Sequence, residues 1–207
     1  MAQSNLHDQR VAFVTGLLVH HGARRIVDLG CGAGRLVAEL LSHAHFANVT
    51  GLDSSAAALA IARHAHPAEL AARRLTLLHG SITEPHPGVV DADAVVLVEV
   101  VEHLDPGRLS EAEHTVFRTY RPPVAVVTTP NVEYNPLLGL AHGELRDPDH
   151  RFEWTRQRFR AWASGVARRN GYRHQFGGIG DPHRELGHPT QYALFYRLAT
   201  ESESTSS

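Results

Sequence analysis

The sequence is poor in cysteine and contains no lysine. Its 207 residues include one cysteine, Cys31, and all twenty basic residues are arginine. A single cysteine excludes a disulfide framework and a zinc site built from several thiolates, so we expect a reducing, cytoplasmic location. The sequence also contains no apolar run of eighteen or more residues and no basic leader followed by an apolar segment. We therefore expect no membrane span and no export signal.

The charge of the chain is close to balanced. The formal net charge is −2 at pH 7, which gives no global positive field of the kind that attracts nucleic acids. Residues 146–173, however, contain eight arginines and only three acidic residues, Asp147, Asp149 and Glu153. Such a segment is either a solvated helix face or a surface that contacts phosphates, and the sequence leaves both readings open.

Short apolar segments alternate with segments of helical periodicity along the chain. This alternation predicts the α/β class, with a doubly wound, mainly parallel sheet of seven strands. We place the strands at residues 25–29, 49–53, 75–79, 93–98, 124–129, 172–176 and 191–198. The main helices are expected at residues 6–21, 35–46, 54–66, 105–120 and 155–170. One domain is expected over residues 1–199, and a disordered tail over residues 200–207, which contain no apolar side chain.

A glycine-rich turn follows the first strand and contains Asp28, Gly30, Gly32 and Gly34. A dinucleotide-binding turn of the G-x-G-x-x-G type would require a further glycine at position 35, where the chain has Arg35. The pattern D-x-G-x-G-x-G instead resembles the cofactor loop of S-adenosylmethionine-dependent methyltransferases. A structural turn and a nicotinamide site are the alternatives.

An acidic residue at the end of the second strand strengthens this resemblance. Asp53 stands where a carboxylate can accept hydrogen bonds from both ribose hydroxyls of the cofactor, with Ser54 beside it. Ser81 and Ile82 follow the third strand, where the adenine would lie. The resemblance implies a Rossmann-like methyltransferase fold with S-adenosylmethionine as its cofactor.

Two carboxylates and an imidazole follow the fourth strand. If the chain turns helical there, Glu99, Glu102 and His103 lie at positions i, i+3 and i+4 and converge on one point. Such a set can hold a divalent metal at the carboxyl edge of the sheet. A solvated turn with scattered charges is the alternative. His150, in the long loop of residues 130–150, is the candidate for a fourth ligand.

Six motifs in their order along the chain carry a family resemblance. The chain resembles the methyltransferase domain of the small-RNA 3′-terminal ribose 2′-O-methyltransferases, which comprise the plant Hua-enhancer type and its bacterial RNA-repair relatives. The two most specific motifs are His150-Arg-Phe-Glu-Trp-Thr-Arg156 and Thr128-Thr-Pro-Asn-Val-Glu-Tyr-Asn135. The other four are Leu6-His-Asp-Gln-Arg10, Asp28-Leu-Gly-Cys-Gly32, Glu99-Val-Val-Glu-His-Leu104 and Gly187-His-Pro-Thr-Gln191.

The resemblance implies a metal-dependent RNA methyltransferase. Glu99, Glu102, His103 and His150 would hold the ion, which would bind the 2′- and 3′-hydroxyls of the last nucleotide. A set of carboxylates and imidazoles suits Mn²⁺ better than Mg²⁺, which is the alternative ion. The methyl group of S-adenosylmethionine would pass to the 2′-hydroxyl, for RNA end protection or repair. Candidate contacts to the RNA 3′ end are Arg10, Asn131, Tyr134, Arg151 and Arg156.

The resemblance also bears on the partner protein, and two other functions compete with it. Bacterial relatives carry an N-terminal half that works with a polynucleotide kinase-phosphatase in RNA repair, and that half is absent here. The resemblance nevertheless implies a polynucleotide kinase-phosphatase or another RNA-repair protein as a candidate partner. A small-molecule O-methyltransferase of the quinone-biosynthesis kind is the alternative enzyme, because such enzymes can show Glu-x-x-Glu-His after the fourth strand. A non-catalytic module that binds the cofactor or captures RNA is the third hypothesis.

Overall fold

A seven-stranded mixed sheet forms the centre of the protein. The computed structural model describes residues 2–198, with side chains from residue 6 onward. The strands are β1 (Arg25–Leu29), β2 (Asn48–Asp53), β3 (Leu75–His79), β4 (Ala94–Val98), β5 (Val124–Pro130), β6 (Tyr172–Ile179) and β7 (Thr190–Arg197). Their order is β3-β2-β1-β4-β5-β7-β6. The tail expected over residues 200–207 lies outside the described residues.

The first five strands run parallel, and β7 pairs antiparallel with both β5 and β6. The prediction of a doubly wound, mainly parallel seven-stranded sheet is confirmed. The chain moves outward from β1 to β3 and then returns to place β4 on the other side of β1. In sheets of this kind ligands bind beyond the carboxyl ends of the strands at such a reversal. The edge beyond β1 and β4 is therefore where a site is expected.

Helices cover both faces of the sheet. They are α1 (Ala2–His20), α2 (Arg35–Ser42), α3 (Ala56–Ala65), α4 (Pro67–Ala71), α5 (Leu109–Glu113) and α6 (Arg156–Asn170). Buried side chains of α1, α2 and α3 form a hydrophobic cluster on one face. A second cluster on the other face joins α6 and the segment after α5 to the sheet. Among the described residues, every helix is too short or too polar to cross a bilayer.

Two predicted helices differ from those observed. The helix expected at 35–46 ends at Ser42, because His43 adopts an extended backbone. The helix expected at 105–120 is a composite of a 3₁₀ turn (Pro106–Arg108), α5, and a π-helical segment (His114–Tyr120). The long loop after β5 contains a 3₁₀ helix, Val132–Leu138, which the sequence pattern did not indicate.

Candidate active site

The glycine turn after β1 has the backbone that its sequence predicts. Gly30, Gly32 and Gly34 have φ values of 78°, 54° and 87°, in the left-handed region that disfavours other residues. A Cβ atom at Gly30 would lie 2.7 Å from a methyl group of Val100. Because Val100 lies between Glu99 and Glu102, the glycine turn packs directly against the chain segment that carries the carboxylates.

Asp53 holds this turn to the end of β2. Its Oδ2 accepts a hydrogen bond from Gly32 N at 2.7 Å, and its Oδ1 accepts one from Ser55 N at 2.8 Å. Ser55, and not Ser54, caps helix α3 by accepting from Ala58 N. The Asp53 carboxylate remains half-buried at the carboxyl edge of the sheet. It therefore lies where the sequence predicts an acceptor for ribose hydroxyls.

Asp28 is buried beneath the glycine turn. Burial, with a smaller contribution from the negative charge of Asp53, raises the pKa of Asp28 to about 7. Beyond β3, the Ser81 hydroxyl bonds to Thr83 Oγ1 at 2.6 Å, and Ile82 is buried in the core cluster. The structure thus places Asp28, Asp53, Ser81 and Ile82 at the carboxyl ends of the first three strands.

Three residues at the carboxyl edge could hold a metal ion. The potential ligand atoms of Glu102, His103 and His150 all lie within 4.8 Å of one another. The rings of His103 and His150 meet edge to face, with centroids 4.8 Å apart. The long loop after β5 therefore returns His150 to the end of β4, across 47 residues of sequence (150 − 103).

Glu102 is the buried carboxylate of this cluster, with 0% of its surface exposed. Its Oε2 accepts a hydrogen bond from Thr129 Oγ1 at 3.0 Å, while its Oε1 has no hydrogen-bond partner among the described residues. Burial, and then the nearby charge of Glu99, raises the pKa of Glu102 well above its ordinary range. A buried, unpaired acceptor of this kind is costly unless a cation or a donor occupies the space beside it.

The backbone at Glu99 corrects one prediction. The helical turn after β4 spans only Val101–His103, and Glu99 precedes it with a left-handed φ of 56°. Glu99, Glu102 and His103 therefore do not share one helical face. The Glu99 carboxylate accepts hydrogen bonds from Arg10 Nη1 at 2.9 Å and from Thr128 Oγ1 at 2.8 Å. It stands outside the group of three, and its role as a metal ligand stays a prediction.

A residue that sequence reasoning missed supports the cluster. Glu153 accepts a hydrogen bond from His150 Nδ1 at 2.7 Å, which leaves His150 Nε2 for a metal. Burial opposes ionisation of Glu153, but hydrogen bonds from His150, the Arg146 backbone and Asn135 hold its pKa below the ordinary value. The signal that could have found it is the spacing His150-x-x-Glu153, which places a carboxylate three residues after the candidate ligand. The sequence analysis considers Glu153 only as one of the acidic residues of the segment 146–173.

The five candidate contacts to RNA have different environments. Arg10 lies at the site, paired with Glu99 and near Thr190. Arg151 is exposed, with Asp105 at 3.9 Å. Arg156 is held by Glu133 and by the carbonyl oxygen of Glu185.

Asn131 and Tyr134 lie in the loop after β5. Asn131 is fully buried, and its amide nitrogen donates to the carbonyl oxygens of Leu186 and His188. Its side-chain oxygen accepts from Glu133 N. These bonds make Asn131 an anchor of the loop in this structure. Tyr134 is half-buried.

The residues present fit a divalent ion. The group offers one carboxylate oxygen without a hydrogen-bond partner and two imidazoles. One imidazole, that of His150, is oriented by a carboxylate. Mn²⁺ and similar ions bind these donor types. The ligand count in the group is three, which leaves positions for substrate or water.

A family model and a curated relative both match this chain. A family model described as a methyltransferase domain matches residues 27–122. The small RNA 2′-O-methyltransferase of Mus musculus is 34% identical over 92% of this chain and 50% of its own length. The chain thus spans about half the length of such curated relatives.

Two solved structures are similar over nearly the whole chain. The methyltransferase domain of the bacterial protein CtHen1 is 38% identical, with a TM-score of 0.83, over 92% of this chain and 99% of that domain. The small RNA methyltransferase HEN1 is 32% identical, with a TM-score of 0.87, over 94% of this chain and 26% of its own.

Proposed function

The chain belongs to the Hen1-type family of small RNA 2′-O-methyltransferases, and we propose that it methylates the 2′-hydroxyl of the 3′-terminal nucleotide of RNA. S-Adenosylmethionine is the methyl donor in this proposal. The observation that carries it is the group formed by Glu102, His103 and His150, whose ligand atoms lie within 4.8 Å of one another beside the glycine turn. In this proposal a metal site lies next to the cofactor site at the carboxyl edge of the sheet, where ligands of such sheets bind.

The cofactor site is formed by the turn and the ends of the neighbouring strands. The left-handed glycines let the backbone approach the amino-acid part of the cofactor closely. Asp53 is half-buried and fixed by two backbone amides, so its carboxylate is oriented to accept the ribose hydroxyls. The full set of proposed cofactor residues is Asp28, Gly30, Gly32, Gly34, Asp53, Ser54, Ser81 and Ile82.

The metal site would hold the two terminal hydroxyls of the RNA. A divalent ion, when bound, supplies a positive charge that lowers the pKa of a hydroxyl attached to it. Glu102 contributes an oxygen that has no other partner, and Thr129 fixes the orientation of that carboxylate. Glu153 holds the His150 ring through Nδ1, so Nε2 is the nitrogen left to bind the ion. Two nitrogen donors and one oxygen donor favour Mn²⁺ over Mg²⁺.

An RNA substrate also fits the charge beside the site. Arg158 and Arg160 are exposed on α6, the helix that follows the His150–Glu153 segment. Arginines in such a position can neutralise backbone phosphates, which position a strand without reading its sequence. A small-molecule methyl acceptor would give these arginines no partner. A repair complex with a polynucleotide kinase-phosphatase stays a prediction.

Methyl transfer to a short RNA with free 2′- and 3′-hydroxyls tests this function. We expect transfer from labelled S-adenosylmethionine that a chelator abolishes and Mn²⁺ restores. The variants Glu102→Gln and His150→Ala should lose methyl transfer. Their affinity for the cofactor, measured by calorimetry, should stay within about twofold of wild type because the glycine turn is a separate site.

The matched control is Glu111→Gln, which makes the same substitution at an exposed carboxylate on α5. This variant should keep full activity. Undiminished transfer in chelator, or in Glu102→Gln, would contradict the metal-dependent mechanism. Absence of transfer to any RNA in the presence of Mn²⁺ would contradict the assignment of substrate.

A further inference from the structure

Arg146 lies almost buried in the long loop after β5, four residues before His150. Its side chain is 10% exposed. The guanidinium donates a hydrogen bond from Nε to Asn135 Oδ1 at 2.7 Å. Its Nη1 and Nη2 donate to the carbonyl oxygens of Pro189 at 2.8 Å and Asn131 at 2.5 Å. Arg146 therefore joins the loop after β5 to the residue that precedes β7.

The carboxylate of Glu153 is the second part of this network. Its Oε1 accepts hydrogen bonds from the Arg146 backbone N at 2.8 Å and from His150 Nδ1 at 2.7 Å. Its Oε2 accepts one from Asn135 Nδ2 at 2.7 Å. Arg146 thus constrains both oxygens of Glu153, one directly through its backbone and the other through Asn135.

Asn135 connects the guanidinium to Glu153. An amide side chain has one end that accepts and one end that donates, so its partners decide which way it faces. The guanidinium can only donate, which places Oδ1 of Asn135 toward Arg146 and Nδ2 toward Glu153. Because Asn135 is buried, loss of the guanidinium would leave its Oδ1 without this donor, which is unfavourable. The amide would then shift, and Glu153 would lose one of its constraints.

Arg146 also supplies the positive charge nearest to Glu153 in this network. Its Nε lies 3.9 Å from Glu153 Oε2, and the Glu153 side chain has no exposed surface. A buried carboxylate stays ionised only beside a cation or several hydrogen-bond donors. An ionised Glu153 makes Nδ1 of His150 the donor nitrogen, so that Nε2 is the nitrogen left for an ion.

We propose that Arg146 is a positioning residue of the metal site, which acts through Asn135 and Glu153 on the ring of His150. Arg146 itself does not touch the ion. The inference rests on the proposed function, because it assumes that the metal-binding group holds a divalent ion. It deepens that function by naming the residue that fixes the support of one ligand.

A double-mutant cycle on Mn²⁺ affinity tests the proposal. Arg146→Lys keeps the charge, but an ammonium group cannot replace the planar fork of a guanidinium. Asn135→Ala interrupts the connection and removes no charge. Each substitution is made alone and together with Glu153→Gln, and titration calorimetry of the whole protein measures Mn²⁺ binding. Arg169→Lys is the matched control, because Arg169 makes a bidentate pair with Glu113 in the last turn of α6.

We expect Arg146→Lys and Asn135→Ala each to weaken Mn²⁺ binding on the order of tenfold, as is common for residues that orient a metal ligand. In the Glu153→Gln background the same substitutions should weaken it about twofold or less, because their effect passes through the residue already changed. Arg169→Lys should bind Mn²⁺ as wild type does. Cofactor affinity should stay within about twofold of wild type in every variant, because the glycine turn is a separate site.

Equal losses of Mn²⁺ affinity in the wild-type and Glu153→Gln backgrounds would overturn the proposal. Additive losses would mean that Arg146 only holds the loop backbone, through the carbonyl oxygens of Asn131 and Pro189. Unchanged Mn²⁺ affinity in the single variants would overturn it as well. If Arg146→Lys does not fold, Asn135→Ala decides by the same criteria.

The test also separates this inference from the proposed function. The predicted cycle of Mn²⁺ affinities, together with no methyl transfer to any RNA by wild type, would refute the proposed function and support the role of Arg146. Methyl transfer by wild type with an additive cycle would refute only the role of Arg146. Absence of Mn²⁺ binding by wild type would refute the metal site and this inference together.

Discussion

Glu153 is the residue that makes His150 a suitable metal ligand. A ligating imidazole commonly donates its other N–H to a carboxylate, which fixes the tautomer and the plane of the ring. Here the Nδ1 of His150 lies 2.7 Å from Glu153 Oε1, and the Glu153 side chain is 0% exposed. The same carboxylate also accepts from the Arg146 backbone, so its position is fixed by the loop.

We predict that Glu153→Gln weakens Mn²⁺ binding by about 10- to 100-fold, because the amide cannot hold the imidazole with a full negative charge. Titration calorimetry of the whole protein measures the affinity, and Glu111→Gln is again the control at an exposed carboxylate. A thermal unfolding midpoint close to that of wild type would show that the fold is retained. Unchanged Mn²⁺ affinity in Glu153→Gln would show that Glu153 does not position His150.

Asp28 should make stability depend on pH. Its pKa is about 7 in the folded protein, against 3.8 as the ordinary value, because burial disfavours its charge. Between those two values the folded state retains a proton that the unfolded chain releases. Stability therefore falls as pH rises through this range, and the loss is complete above about pH 7. The difference of about three pH units corresponds to about 4 kcal/mol as an upper figure.

Asp28→Asn removes this titration while keeping the shape of the side chain. We predict that, without cofactor, the stability of the variant relative to wild type increases from about pH 5 to about pH 8 by up to about 3 kcal/mol, because about two pH units of the titration fall in this window. Urea unfolding at the two pH values measures the gain. If the difference between variant and wild type were the same at both pH values, Asp28 would not be the cause.

At the scale of elements, the strands were predicted more accurately than the helical segments. The strands β1, β3 and β5 are short segments rich in apolar and β-branched residues, and sequence alone placed them to within one residue. The turn after β4 could not be predicted in the same way. Glu99 adopts a left-handed φ that non-glycine residues rarely take, and its contacts come from Arg10 and Thr128, which are distant in sequence.

Helix α6 begins where its sequence predicts. The Thr155 hydroxyl accepts a hydrogen bond from Arg158 N at 3.2 Å and caps the helix. We predict that Thr155→Ala lowers the free energy of unfolding by about 0.5–2 kcal/mol.

Chemical denaturation measures this loss, and Thr119→Ala is the matched control, because Thr119 is exposed and lies away from a helix start. Equal stability of Thr155→Ala and Thr119→Ala would show that the cap contributes nothing.

At the scale of the whole molecule, the sequence predicted the sheet and the edge at which the site lies. The glycine turn, Asp53 and the Glu102-His103 pair all follow strands, and the ends of parallel strands meet at one edge. His150 was named as a candidate ligand from its place in the long loop and from the family resemblance, because nothing local in a 47-residue separation from His103 shows that it approaches the end of β4. The hydrogen bond from His150 to Glu153 depends on the conformation of the folded loop, so no sequence period indicates it.

The central claim is that the metal-binding group holds both hydroxyls of the terminal ribose. The most direct measurement is methyl transfer to matched RNA oligonucleotides that differ only in the last sugar. Ends with both hydroxyls should be methylated, and ends with a 3′-phosphate or a 3′-deoxy sugar should react far more slowly although the 2′-hydroxyl is present. Equal rates on 3′-hydroxyl and 3′-phosphate ends would contradict the account, even if the protein methylates RNA.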